Sequence, residues 1–198
     1  MTAVRQPGDS QERVRAFLAL LAPTALVDAA TAVQEELRGT WPSGRIRWVE
    51  PRNFHVTVRF FGELEPARLA SVSELVRRTE IERNEVRLGK CSAFPTESRP
   101  SVLWVSLEDP SGRLDGQVRE LEARLESAGF GPPDKPWKSH LTLGRVPREG
   151  RLRAREEEFR AVRLPGERFF LDELALMRSD LRPQGPVYSP IETVRAKV

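Results

Sequence analysis

The chain contains only two histidines, and both stand in one local pattern. His55 opens His55-Val56-Thr57-Val58, and His140 opens His140-Leu141-Thr142-Leu143. Each pattern reads His, apolar, Thr, apolar. Both histidines satisfying it with four apolar flanks is expected by chance in about one chain in ten thousand. Imidazole is the side chain whose ordinary pKa lies nearest neutrality, so a matched pair predicts an acid and a base acting together. In a strand, residues i and i+2 share a face. His55 and Thr57 would then face one way and Val56 and Val58 the other, with the second motif arranged alike. Two such strands facing each other across a cleft offer two imidazoles and two hydroxyls to one substrate. That set suits in-line opening of a cyclic phosphate. A base acts on one side of phosphorus and an acid on the other, while Thr57 and Thr142 donate to the non-bridging oxygens.

Other chemistries fit the residues less well. The histidines have no carboxylate or cysteine companions at metal-ligand spacing, so neither a metal nor another cofactor is expected. No Gly-x-Ser-x-Gly elbow supports a serine nucleophile. Around the pair, strand phase ranks the candidates for substrate binding. Arg59 is in phase with His55 and is a candidate phosphate contact. Phe60 is out of phase and is expected in the core. Arg145 is out of phase with His140, but a bulge at Gly144 would bring it round to a phosphate. Phe17 and Trp137 are candidates for stacking on a base. Trp41, Trp48 and Trp104 read as packing residues.

These motifs need strands to carry them, and the chain has room for one domain of two lobes. Met1 to Glu12 reads as a polar tail, with a single bilobal domain over 13–198. Val14 to Leu20 reads as a buried strand. Leu26, Ala30, Val33 and Leu37 recur at helical spacing after Pro23, as do Leu69, Val72, Leu75 and Val76 after Glu65-Pro66. Leu114, Val118, Leu121 and Leu125 form a third helical stripe, with Ser111 as its cap and Gly129 and Gly131 as its stop. Strands are expected at 46–49, at His55, at 86–93, 102–107, at His140, at 169–178 and at 188–194. Phe94 to Pro100 reads as a turn-rich connection. Each half thus holds strands, a helix and one His-x-Thr strand. This predicts an α+β fold of two antiparallel-sheet lobes with outer helices, the motifs meeting in a central groove.

Charge and cysteine content bound the setting. The formal net charge is +3 with a pI near 9.5. Lysine occurs only at positions 90, 135, 138 and 197, so the basic residues are nearly all arginine. A basic bias permits an RNA partner without establishing one. Cys91 is the only cysteine; with no disulfide framework, a reducing cytoplasm is expected. No membrane span or signal peptide is read from the sequence. A monomer is expected.

The sequence resembles the two-histidine phosphoesterase superfamily, and within it the RNA 2′,3′-cyclic phosphodiesterases of the ThpR/LigT type. That subgroup reads His-x-Thr-x-x-Phe and then His-x-Thr-x-x-Arg, here His55, Thr57, Phe60 and His140, Thr142, Arg145. Arg15-Ala16-Phe17-Leu18-Ala19-Leu20, Phe61-Gly62-Glu63-Leu64, Arg99 to Trp104 and Gly185-Pro186-Val187-Tyr188 also resemble family segments. The likeness runs over about residues 13 to 195. It implies metal-free hydrolysis of RNA 2′,3′-cyclic phosphate ends to 2′-phosphomonoesters, and a reverse joining of RNA ends through a 2′,5′ linkage. It also implies His55 as proton donor and His140 as proton acceptor, roles the residues alone leave open. Two alternatives stand beside it. One is a cyclic phosphodiesterase acting on a small nucleotide or a 2′,5′-linked oligonucleotide. The other is a nucleotide- or RNA-binding module without turnover.

Overall fold

The computed structural model describes residues 12–41, 44–147, 156–183 and 185–197. The expected tail lies outside them except for Glu12. In chain order the elements are β1 (Val14–Leu21), α1 (Thr24–Thr40), β2 (Arg47–Trp48), β3 (His55–Leu64), α2 (Pro66–Arg77), β4 (Asn84–Thr96), β5 (Arg99–Glu108), α3 (Arg113–Leu125), β6 (His140–Arg145), α4 (Glu156–Arg160), β7 (Phe169–Leu171), β8 (Glu173–Arg182) and β9 (Gly185–Arg195). Two antiparallel sheets result, ordered β3-β1-β8-β9 and β2-β6-β5-β4-β7. The α+β architecture of two antiparallel sheets and outer helices is therefore the one the pattern predicts. Among the described residues no helix is long and apolar enough to cross a membrane.

The lobes do not follow the two halves of the sequence. β2 leaves the first half to pair with β6, and β8 and β9 return from the C-terminal end to complete the sheet of β1 and β3. Only Asp172 separates β7 in one sheet from β8 in the other. A second difference lies at 94–100. This stretch continues both strands of the β4–β5 hairpin, with a turn confined to Glu97 and Ser98. Helix α4 has too few residues to show a helical stripe and is absent from the sequence reading.

Packing explains these placements. β1 is an interior strand, and Ala16 to Leu20 are all buried. Its Leu18 and Leu20 join the main core, while Phe17 and Ala19 join a small second cluster with Ala175 and Met177 on the opposite face. Burial on both faces is why β1 reads as a continuous apolar run. Helix α1 buries Leu26, Ala30, Val33, Gln34 and Leu37. Helix α3 buries the predicted stripe of Leu114, Val118, Leu121 and Leu125. Its N-terminus is held mainly by Asp109, whose carboxylate accepts from the Ser111 and Leu114 amides. Ser111 Oγ adds a longer contact, 3.2 Å from the Arg113 nitrogen.

Candidate active site

The motif strands β3 and β6 approach each other from the two sheets, and a direct bond ties β3 to the segment leading into β6. The Trp137 indole donates to the Thr57 carbonyl at 2.8 Å. Each histidine is held in the same way. His55 Nδ1 lies 2.7 Å from the Asn53 carbonyl oxygen, and His140 Nδ1 lies 2.7 Å from that of Lys138. A carbonyl only accepts, so Nδ1 carries the proton in both rings, and Nε2 is the nitrogen left for proton transfer. Asn53 is itself anchored by its side-chain amide, which donates to the Pro186 carbonyl at 3.3 Å.

Each imidazole sits against two aromatic rings. Phe17 and Tyr188 lie 4.8 and 5.3 Å from the His55 ring, centroid to centroid. Phe94 and Trp104 lie 5.3 and 5.9 Å from that of His140. The enclosure sets the electrostatics. Burial pushes both imidazoles below the ordinary histidine value, against the pull of the carbonyl on each Nδ1. The Arg145 charge adds to the lowering at both rings, His140 adds to it at His55, and Lys138 adds to it at His140. Arg145 thus acts electrostatically on both halves of the pair.

Strand register explains how Arg145 comes to be there. On β6, Thr142 pairs with Trp104 but Gly144 pairs with Leu103, so Leu143 is an inserted residue. One insertion reverses strand phase and turns Arg145 onto the His140 face. The Leu143 carbonyl accepts from the Val49 amide at 2.9 Å and from Gln34 Nε2 at 2.8 Å. Gln34 is buried, also bonds the Val49 carbonyl, and so ties α1 to the bulge. Gly144 contributes by its size. A Cβ there would stand 2.8 Å from Ile46 Cγ2 and 3.1 Å from Trp48 Cε3.

β3 carries a bulge at the same offset. Thr57 pairs with Ala19 and Arg59 with Leu18, leaving Val58 inserted. The expectations for the next two residues therefore reverse. Phe60, expected in the core, is 60% exposed and packs on Phe17 with centroids 5.6 Å apart. Arg59, expected to contact phosphate, turns away from His55. Its guanidinium pairs with Glu122 and donates to the carbonyls of Phe130, Gly131 and Pro132 at 3.0, 2.8 and 3.1 Å. With its donors engaged in this clamp, Arg59 is corrected from ligand to structural residue.

The stacking candidates also need adjustment. Phe17 is 1% exposed, so it presents no face to a base and instead forms the floor under His55 and Phe60. Trp137 remains half-buried at the groove. Tyr188 stands out in the sequence only within a family-like segment, and its contact with His55 arises through the β8–β9 pairing. Trp104 is buried as expected, but its ring lies against His140 rather than solely in the core. Among the described residues, no three His, Cys, Asp or Glu side chains are grouped to hold a metal ion.

Comparison with known proteins places the family and the fold. A profile for LigT like Phosphoesterase matches residues 21–104 and 107–188. The RNA 2′,3′-cyclic phosphodiesterase of Methanothermobacter thermautotrophicus is 32% identical over 188 residues, covering 92% of this chain and 99% of that protein. The protein of the same name from Thermus thermophilus is also 32% identical, covering 90% of this chain and 88% of its own length. Among solved structures, one of a Thermus thermophilus protein superposes with a TM-score of 0.71 at 29% identity, covering 91% of this chain and 97% of that one. Escherichia coli LigT in complex with 3′-AMP superposes with a TM-score of 0.74 at 20% identity, covering 94% and 100%, and shares the fold. With the profile spanning both motif strands, the chain belongs to the LigT-like phosphoesterase family.

Proposed function

We propose that this phosphoesterase hydrolyses the 2′,3′-cyclic phosphate end of RNA to a 2′-phosphomonoester, using the two histidines and no metal. His140 Nε2 takes a proton from water as the water oxygen attacks phosphorus. The bond from phosphorus to O3′ breaks, and His55 Nε2 delivers a proton to O3′. Thr57 and Thr142 donate to the non-bridging oxygens, and the Arg145 charge offsets the negative charge that grows there. A 5′-hydroxyl in place of water, with the same P–O3′ bond breaking, gives a 2′,5′ linkage instead of a 2′-phosphate. The exposed Phe60 ring, backed by Phe17, and the Trp137 ring serve the bases of the RNA end. The protein acts as a cytoplasmic monomer in this reading. Cys91 is buried, and burial pushes its thiol up to about 12, so it offers no thiolate to the chemistry.

The observation that carries the reading is the matched restraint of His55 and His140. Each has Nδ1 bonded to the carbonyl two residues earlier and a threonine two residues later. The relatives' shared name supports the RNA substrate. The deciding experiment is turnover of an oligoribonucleotide with a 2′,3′-cyclic phosphate end, with the phosphate position in the product identified by phosphorus NMR. A 2′-phosphate is expected. A 3′-phosphate would overturn the assignment of O3′ as leaving group.

Two further outcomes are expected. Excess EDTA should leave the rate unchanged. A loss on chelation that one added divalent ion restores would contradict the metal-free mechanism. The pH profile of kcat/KM should be a bell whose maximum lies below about 6.5, the ordinary histidine pKa. One imidazole must start neutral and the other protonated. Burial and the Arg145 charge both disfavour imidazolium, so each protonation needs a lower pH and both limbs move to the acid side. Arg145→Gln removes one of these charges and should slow the reaction while moving both limbs toward alkaline pH. The limbs belong to the coupled pair rather than to single residues. A wild-type maximum above pH 7, or an unshifted variant profile, would contradict this account.

A further inference from the structure

One inserted residue turns Arg145 toward the imidazoles, so whatever holds that insertion governs the charge beside them. The carbonyl of the inserted Leu143 takes two donors, the Val49 amide at 2.9 Å and Gln34 Nε2 at 2.8 Å. Gln34 Nε2 carries two hydrogens, and the second goes to the Val49 carbonyl, also at 2.8 Å. Both acceptors are carbonyls, so only one orientation of the amide satisfies them. Gln34 Oε1 accepts from the Arg38 guanidinium at 3.3 Å. Gln34 is 1% exposed. A buried amide bonded at both ends in this way is rigidly placed. It joins α1, the bulge of β6 and the chain just past β2. That chain runs on to Asn53, whose carbonyl holds His55. A single side chain therefore ties together the flanks of both motif strands.

The bulge has a repulsion to withstand. Arg145 is the cross-strand partner of Arg47 on β2, so the two side chains share a face. The other face is accounted for: a Cβ on Gly144 would meet Ile46 and Trp48 there. Like charges directly opposite on paired strands repel. Among the described residues Arg145 has no carboxylate partner to offset Arg47. Any rearrangement that separates the two arginines is favoured, and loss of the inserted residue from β6 would carry Arg145 to the opposite face. The Gln34 bonds oppose both.

We infer that Gln34 is a positioning residue for the phosphoesterase reaction, holding the Arg145 guanidinium against the His55–His140 pair by fixing the Leu143 bulge. It touches neither substrate nor reacting atoms. The inference rests on the proposed roles of the two histidines and Arg145. Other groups also act on the pair. Lys138 faces His140, the two imidazoles act on each other, and Tyr188 packs on His55 with Arg15 nearby. Gln34 bonds to none of these, so its removal reaches both imidazoles through Arg145.

Histidine titration by NMR tests this on the full chain, which has only two imidazoles to follow. Gln34→Met keeps the length of the side chain and deletes both donors. Both histidine pKa values should rise toward the ordinary value, as they should in Arg145→Gln. Added to Arg145→Gln, the Gln34 change should move neither titration further, because the charge it positions is already gone. Turnover of adenosine 2′,3′-cyclic phosphate by Gln34→Met should fall about ten- to a hundredfold, the range a small misplacement reaches. The loss should lie mainly in kcat, since Arg145 meets charge that grows in the transition state. Gln34→Leu gives the same readings if Gln34→Met does not fold. Unchanged histidine titrations in a folded variant, or shifts that add in full to those of Arg145→Gln, would overturn the positioning role even if the cyclic phosphate is hydrolysed normally. If the titrations move as expected but cyclic phosphate is not opened by the wild-type chain, Gln34 does position Arg145 and the proposed hydrolysis fails.

Discussion

His55→Ala and His140→Ala are each expected to lower kcat/KM by about 10²–10⁴-fold while leaving the protein folded, in line with general acid–base contributions. Both rings are only partly buried and point toward the groove, so the fold does not depend on them for its main core. Their Nδ1 bonds end on carbonyls of the segments that precede the strands. These carbonyls are left near solvent when the ring is removed. The two losses should not add, because neither half of a proton relay works alone. The double variant should therefore be little slower than the slower single variant. The check is steady-state turnover of a 2′,3′-cyclic nucleotide, with a native circular dichroism spectrum for each variant. Near wild-type turnover in either would end the paired-histidine mechanism.

The largest stability effect is expected at Arg59, the residue that the β3 bulge turns away from the groove. The side chains of Arg59 and Glu122 are only 9% and 12% exposed. Arg59→Met leaves the Glu122 carboxylate and three carbonyls without their donor. Breaking such a pair from one side costs about 3–5 kcal/mol. That is a large part of the roughly 5–15 kcal/mol that holds a typical domain together. The double variant Arg59→Met/Glu122→Leu should regain much of the loss, because no uncompensated charge remains. Activity should stay low in the double variant. The clamp joins β3 to residues 130–132, in the chain that leads on to Trp137 and His140, so it sets the distance between the motif strands.

The clamp also has a pH signature. Burial raises the Glu122 carboxyl above its ordinary value, even against the attraction of Arg59. A raised carboxyl binds its proton more readily in the folded state than in the unfolded one, so its contribution to stability improves as pH falls through the folded value. Removing Arg59 raises that carboxyl further. The deficit of Arg59→Met should therefore be smaller near pH 5 than near pH 8. Urea unfolding at the two pH values measures both effects. A deficit below about 1 kcal/mol at pH 8 would show that the pair is not the structural clamp described.

Much of the architecture was legible in local pattern. The apolar stripes of α1, α2 and α3, the buried run of β1 and the two His-x-Thr strands are repeats at period 3.6 or 2, and these periods survive folding because they determine which face is dry. Pairing of the two histidines in one groove followed from the duplicated motif. The order of strands did not follow. β2 joins the sheet of the later half, and β8 and β9 join the sheet of the earlier half. Strand partners are chosen by long-range burial, which no local window contains.

The two bulges were equally hidden, although they decide the site's composition. Val58 and Leu143 each stand three residues after a motif histidine and each add one residue to a strand. Val58 and Leu143 simply continue the alternation set by Val56 and Leu141, and Phe60 extends it on β3, so the pattern gives no sign of the phase change. Hence Phe60 and Arg145 face the groove while Arg59 leaves it. Gln34 and Tyr188 became visible only through their partners: the Leu143 carbonyl and the His55 ring. By itself, the sequence determined which side chains are available for acid–base chemistry and the face each begins on, because side-chain type and strand period are local properties. Tertiary structure alone decided which cations and rings surround them, because one inserted residue reverses a strand's phase and only the neighbouring strand's register reveals it.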